Sequence, residues 1–218
     1  LRIMLRINDI APNFEADSTH GKINFHEFIN NSWAVLFSHP KDFTPVCTTE
    51  LAYMANIQKE FEQRGCKILG LSIDSVEDHL SWKKDIEDVA NTKLDYPLIS
   101  DSDLKVAKAF NMLPADEVAN ANRTAITNAT VRSVFLIDPE KKIRMMLTYP
   151  MTTGRNFDEI LRVLDSIQLT SKTKIATPVN WKKGDEVIII PAVSDDEAKK
   201  MFDSFNSVKP YLRYTKLK

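Results

Sequence analysis

The chain has 218 residues, 43 % hydrophobic and 27 % charged, enough for one sizeable core and a smaller appendage. Its 29 basic and 30 acidic residues leave a net charge of −1, so nothing in the overall charge recruits nucleic acid or an anionic membrane. No apolar run approaches the roughly 18 residues of a spanning helix, and two cysteines with four scattered histidines suggest a reducing, cytoplasmic setting rather than a disulfide framework or a structural zinc site.

The start, Leu1 to Ile7, is too short and too charged for a secretory signal. Asn8 to His20 reads as an extended entry with a turn at Asp17-Ser18-Thr19-His20-Gly21, and Ile23 to Phe28 as a second short strand and a turn of helix. Trp33-Ala34-Val35-Leu36-Phe37 is the apolar run of a buried strand. Leu51, Met54, Ile57 and Phe61 recur at helical spacing. Between them stands His39-Pro40-Lys41-Asp42-Phe43-Thr44-Pro45-Val46-Cys47, so the order is strand, short turn, helix, with a cysteine in the helix's first turn. Thr44 suits the N-cap and Pro45 the first helical position, where a missing N–H costs nothing. Cys47 is then third, where free backbone N–H groups and the positive end of the helix dipole favour thiolate over thiol. Cys47 shares one face with Leu51, Met54, Ile57 and Phe61. That places it on the apolar side, at the bottom of a narrow pocket suited to a small substrate.

Gly65 is a candidate C-cap, Lys67 to Ile73 the next strand, and Asp74-Ser75 caps a helix from about Val76 to Val89. Tyr96 to Ile99 reads as a short strand and Leu104 to Phe110 as a short helix, while Leu113 to Thr130 has no strong period and reads as a surface excursion. Val131 to Ile137 and Ile143 to Tyr149 form two strands joined by a tight turn at Asp138-Pro139-Glu140-Lys141-Lys142. Phe157 to Leu169 carries Ile160, Leu161, Leu164 and Ile167 at helical spacing. Strands alternating with helices predict an α/β fold with a central mixed sheet flanked by helices. Near Thr170 the composition changes. A polar connector to Pro178 precedes a turn and strand at Trp181 to Ile190, a short helix from Ser194-Asp195-Asp196-Glu197, and a tail with Tyr211 to Tyr214. The expected division is therefore residues 1–169 and 170–218, the second a small α+β extension that buries too little to stand alone.

A cysteine on an apolar face is by default a small core residue. The frame Pro40-x-x-x-Thr44-x-x-Cys47, however, resembles the active-site motif of the peroxiredoxins, thiol peroxidases of thioredoxin-like fold. Thr177-Pro178-Val179-Asn180-Trp181 and Tyr211-Leu212-Arg213-Tyr214-Thr215 resemble the C-terminal extension of the one-cysteine subgroup, so the likeness spans essentially the whole chain. It implies a thioredoxin-like peroxidase domain, an extension that reaches across a homodimer, and no cofactor. By position alone Arg132 is an ordinary strand charge; Val131 to Asp138 matches the family's active-site arginine segment and assigns Arg132 to the site. Glu50 and Arg155, in Cys47-Thr48-Thr49-Glu50 and Thr153-Gly154-Arg155-Asn156-Phe157, match a supporting polar network. Pro40 would shield the sulfur and shape the pocket wall. His39 would hydrogen-bond substrate, orient a neighbour or simply pack.

Lowering a thiol pKa from about 8.5 to ~6 raises the thiolate fraction at pH 7 only roughly thirtyfold, so the site must also stabilise charge growing on the departing oxygen. Backbone N–H groups at the helix start, the Thr44 hydroxyl and Arg132 are the expected donors. Attack on hydrogen peroxide or an organic hydroperoxide gives a sulfenic acid at Cys47 and releases water or an alcohol. No cysteine follows Cys66, which opens a strand and reads as structural, so an external thiol such as glutathione, thioredoxin or glutaredoxin is expected to reduce it. Two rival readings stand. One is a redox sensor or thiol-regulated chaperone. The other adds phospholipase activity at Ser32 and His26, although Asn30-Asn31-Ser32-Trp33-Ala34 lacks both glycines of the hydrolase frame, Glu140 stands in place of Asp, and Ser32 precedes a strand rather than following one.

Overall fold

The computed structural model describes residues 4–116 and 128–218; the middle of the expected surface excursion, 117–127, lies outside them. Two compact units are present, Leu1–Phe157 and Asp158–Lys218.

The strands of the first unit are β1 (Glu15–Ser18), β2 (Gly21–Asn24), β3 (Trp33–Ser38), β4 (Cys66–Ser72), β5 (Leu98–Ser100), β6 (Arg132–Ile137) and β7 (Ile143–Tyr149). They form one seven-stranded sheet of order β2-β1-β5-β4-β3-β6-β7. β3 runs parallel to β4, and β4 to β5. β6 pairs antiparallel with β3 and, through the tight turn, with β7. Ala34, Val35, Leu36 and Phe37 are fully buried in succession, the continuous apolar run of a strand covered on both faces. Phe14 stacks on Phe25 at 4.7 Å, and Phe110 meets Phe135 edge-on, in the main aromatic cluster of the core.

The helices of this unit are α1 (Phe25–Ile29), α2 (Pro45–Gln63), α3 (Val76–Ala90) and α4 (Lys105–Ala109). α2 starts at Pro45 and places Cys47 third, as its sequence predicts, and Gly65 follows its end in the left-handed conformation at φ +62°. Ser75 caps α3 by accepting from the Asp78 N–H. A β3–α2–β4 crossover puts the first turn of α2 beyond the C-terminal end of β3, the usual place for a site in a sheet with parallel strands.

The second unit holds all but the first residue of α5 (Phe157–Thr170), together with α6 (Asp195–Met201) and four short strands. The compositional change at Thr170 coincides with the end of α5. Ser194 and Glu197 close a capping box on α6. Three strands come from segments whose sequence did not announce them: β8 (Ile175–Ala176) in the polar connector, β10 (Asn206–Lys209), and β11 (Leu212–Thr215) in the tail, beside β9 (Val187–Ile189). Together they make an antiparallel sheet of order β10-β11-β9-β8. The inward residues of β11 are Arg213 and Thr215, so the apolar alternation that marks a half-buried strand is missing. Arg213 is nonetheless well used. It donates to Asp195 at 2.8 Å and to the carbonyls of Ile190 and Val193. Among the described residues no helix is long and apolar enough to cross a membrane.

Candidate active site

The loop between β3 and α2 is fixed from several sides. The His39 N–H donates to the Leu71 carbonyl at 2.9 Å, and the His39 carbonyl accepts from the Thr130 hydroxyl at 2.7 Å. Phe43 stands at φ +56°, an uncommon conformation for a residue with a bulky side chain, and is exposed. Thr44 occupies the N-cap but does not cap with its side chain. Its hydroxyl donates to the Lys41 carbonyl at 2.6 Å, tightening the loop instead, while its own carbonyl accepts from the Thr48 hydroxyl. The first-turn N–H groups of α2 thus have no partner from the cap, and Pro45 brings no N–H at all.

Cys47 is fully buried and reduced. Arg132 Nη1, from the start of β6, lies 3.3 Å from its sulfur. The same nitrogen donates to Glu50 Oε1 at 2.6 Å, and Arg132 Nε holds the Met151 carbonyl at 2.8 Å. Glu50 stands one helical turn after Cys47 and faces the same way. Its two oxygens also take Arg155: the backbone N–H at 2.9 Å, Nε at 2.7 Å and Nη2 at 2.8 Å. Arg155 Nη1 reaches the Ser133 carbonyl. Burial pushes the Glu50 carboxyl up, but the hydrogen bonds and charge of Arg155, with Arg132 behind it, outweigh this and hold it below its ordinary range. Two guanidinium groups against one carboxylate leave one positive charge in excess beside the sulfur. Pro40 is buried beside His39 at the end of β3.

One polar cluster escaped the sequence reading. Asp42 is buried between two histidines: Oδ1 is 2.7 Å from His39 Nε2 and Oδ2 is 2.5 Å from His79 Nδ1. The signal for His79 was present, because it shares the apolar face of α3 with Trp82, Ile86 and Ala90. The ligating atoms of His39, Asp42 and His79 lie within 4.8 Å of one another, the kind of set that holds a metal. At 2.5 and 2.7 Å, however, the carboxylate is in hydrogen-bond contact with both rings, closer than donors spaced around a zinc ion at ~2.0–2.1 Å each.

Residues 7–146 match the model of the AhpC/TSA family, and residues 166–204 that of the C-terminal domain of 1-Cys peroxiredoxin. A 1-Cys peroxiredoxin of Dictyostelium discoideum is 52 % identical over 212 residues, covering 97 % of this chain and 85 % of its own. The chain belongs to the 1-Cys peroxiredoxins. A yeast mitochondrial 1-Cys peroxiredoxin structure superposes with a TM-score of 0.89 at 52 % identity, covering 98 % of this chain and all of its own. A cysteine-to-serine mutant of peroxiredoxin 6 from Arenicola marina gives 0.90 at 44 % identity, covering 97 % and 98 %. This peroxiredoxin is therefore a thiol-dependent peroxidase on a thioredoxin-like core.

The two cysteines of this peroxiredoxin are far apart. Cys47 opens α2 and Cys66 follows its end, so the helix rise alone separates them by roughly 20 Å, against ~7 Å at most between the Cα atoms of a disulfide. Burial pushes the Cys66 thiol up, away from reactivity. The residues of the lipase reading each bond a different partner. Ser32 donates to the Ile29 carbonyl, His26 Nε2 bonds the Ala11 carbonyl, and Glu140 pairs with Lys142.

Proposed function

We propose that this chain reduces hydrogen peroxide and organic hydroperoxides at Cys47, with an external thiol completing each cycle. The observation that carries the assignment is Arg132 Nη1 at 3.3 Å from the Cys47 sulfur, inside a buried cluster of net charge +1. The thiolate attacks one peroxide oxygen, an S–O bond forms as the O–O bond breaks, and the departing oxygen takes a proton to leave as water or an alcohol. Arg132 and the first-turn N–H groups of α2 stabilise the oxygen that gains charge. A guanidinium suits this work because one planar group can serve sulfur and oxygen together. Thr44 sets the loop, Pro40 walls the sulfur, and Glu50 with Arg155 holds Arg132 in place.

The sulfenic acid then meets a thiol, losing water to form a mixed disulfide, and a second thiol releases Cys47. The yeast relative's structure concerns thiol resolution via glutathione/thioredoxin systems. Glutathione, thioredoxin or glutaredoxin is the corresponding reductant proposed here. After one equivalent of peroxide, nonreducing gels should show no intrachain crosslink, and Cys66→Ser should keep most of the turnover. An obligatory Cys47–Cys66 disulfide would refute the cycle. Sustained turnover with a small thiol, against a single stoichiometric oxidation, separates an enzyme from a sensor.

A homodimer also belongs to this reading. Its support is the family likeness and β7, which ends the sheet with Met146 exposed. Light scattering on purified protein should give twice the chain mass. A cytoplasmic setting, where thiols are abundant, suits a cycle that consumes two per turn; fractionation of cells tests it.

A further inference from the structure

The buried cluster around Asp42 is not used by the cycle above, yet it grips the loop that leads into Cys47. His79 Nε2 is 3.0 Å from the Ile99 carbonyl, which can only accept, so this nitrogen carries a proton. Nδ1 lies 2.5 Å from Asp42 Oδ2. Asp42 is also approached by His39 Nε2 on its other oxygen at 2.7 Å; burial pushes its carboxyl up, but the hydrogen bonds of His39 and His79 outweigh this and hold it low, as a carboxylate rather than an acid. Nδ1 is then protonated as well, and His79 is an imidazolium. His39 meets Asp42 through Nε2, and its buried Nδ1 has no hydrogen-bond partner.

Asp42 holds the loop twice. Its side chain joins His39 and His79, and its backbone N–H donates to Asp74 Oδ2 at 3.0 Å. Ser72 donates to the same Asp74 oxygen at 2.6 Å. The residue next to Asp42 is Phe43, whose positive φ persists only where neighbours enforce it. Cys47, the third residue of α2, lies four residues further on.

We propose that His79 is a positioning residue of the peroxidase: as an imidazolium it locks Asp42, and through Asp42 the loop 40–44 and the His39 ring, in the arrangement that brings Cys47 to Arg132. The proposal rests on Cys47 being the reacting residue. Loss of the Nδ1 proton turns a lone pair toward the Asp42 oxygen at 2.5 Å, and the loop must move away. The titratable groups facing His79 are Asp42, Asp74 and His39, the last with its ring centre 6.1 Å away. Burial alone lowers the His79 pKa. The Asp42 hydrogen bond and charge, the Ile99 carbonyl and Asp74 more than reverse this, so the proton is held above the ordinary histidine range.

The test compares two readouts in the intact protein. Nitrogen-15 shifts of the His79 ring should report both nitrogens protonated at pH 7. The second-order rate constant of Cys47 oxidation by hydrogen peroxide, followed by stopped flow, should fall on the alkaline side with the midpoint of the His79 titration. In His79→Gln, which can donate one hydrogen bond but carries no charge, the rate at neutral pH should drop roughly 10–100-fold and that alkaline limb should vanish. A neutral His79 ring at pH 7, or an unchanged limb in His79→Gln, overturns the proposal. Should the variant not fold, midpoints more than a unit apart in the wild type overturn it too. Failure of Cys47 as the nucleophile is a separate result, read from Cys47→Ser turnover, and leaves the ring shifts unaffected.

Discussion

Cys47→Ser should abolish peroxide consumption, by roughly 10³-fold or more, with glutathione, thioredoxin or glutaredoxin offered in turn. A serine hydroxyl stays protonated at neutral pH and gains little from one added positive charge, whereas a thiol lies close enough to ionisation for the surplus charge of Arg132, Arg155 and Glu50 to matter. The replacement is nearly isosteric, and its hydroxyl can bond the guanidinium that now faces the sulfur. The unfolding transition should therefore shift by no more than about 1 kcal/mol. Activity and stability are thus expected to separate cleanly. Turnover in the variant within tenfold of wild type would remove Cys47 from the reaction.

Glu50→Ala should have the largest effect on stability. It leaves Arg132 Nη1 and three donors of Arg155 facing no carboxylate, in a place where both guanidinium groups are buried. Breaking a buried pair from one side costs about 3–5 kcal/mol, because the partner's charge stays behind uncompensated. At roughly 2–4 °C per kcal/mol for a chain of this size, the melting temperature should fall by about 10 °C. The same carboxylate sets an acid limit. Its folded pKa is depressed below the ordinary 4.5, so its contribution is complete above that pH and is lost as pH falls through the folded value. Asp42, held low by His39 and His79 against the opposing pull of burial, adds to the loss in the same direction below its ordinary 3.8. His79 has the opposite sign: its contribution is complete below 6.5 and disappears as pH rises through its raised folded value. Denaturation curves from pH 2 to 9 should accordingly fall off at both ends, and Glu50→Gln should flatten the acid side.

Much of the first unit was legible because its signals are local. The apolar run of β3, the Thr44-Pro45 start of α2, the Ser75 cap of α3 and the tight turn after β6 each state one element within a few residues. The peroxiredoxin frame then joined Cys47 to Arg132, residues 85 apart in sequence that the sheet brings into contact. Where reading failed, the decisive contact was neither local nor apolar. β11 hides its inward face behind Arg213, and Thr44 looks like a capping residue yet spends its hydroxyl on Lys41. Asp42 and His79 lie 37 residues apart, and nothing short of the folded loop shows that they meet.

The span of the Glu50 network has a consequence for biosynthesis. Glu50 reaches Arg132 and Arg155 across 82 and 105 residues. A ribosome adding ~5–20 residues per second finishes α2 several seconds before either arginine has been made. During that interval the nascent chain carries Cys47 without the guanidinium groups that later face it, so the proposed peroxidase site is complete only once the β6–β7 hairpin and the turn beyond it have emerged from the exit tunnel.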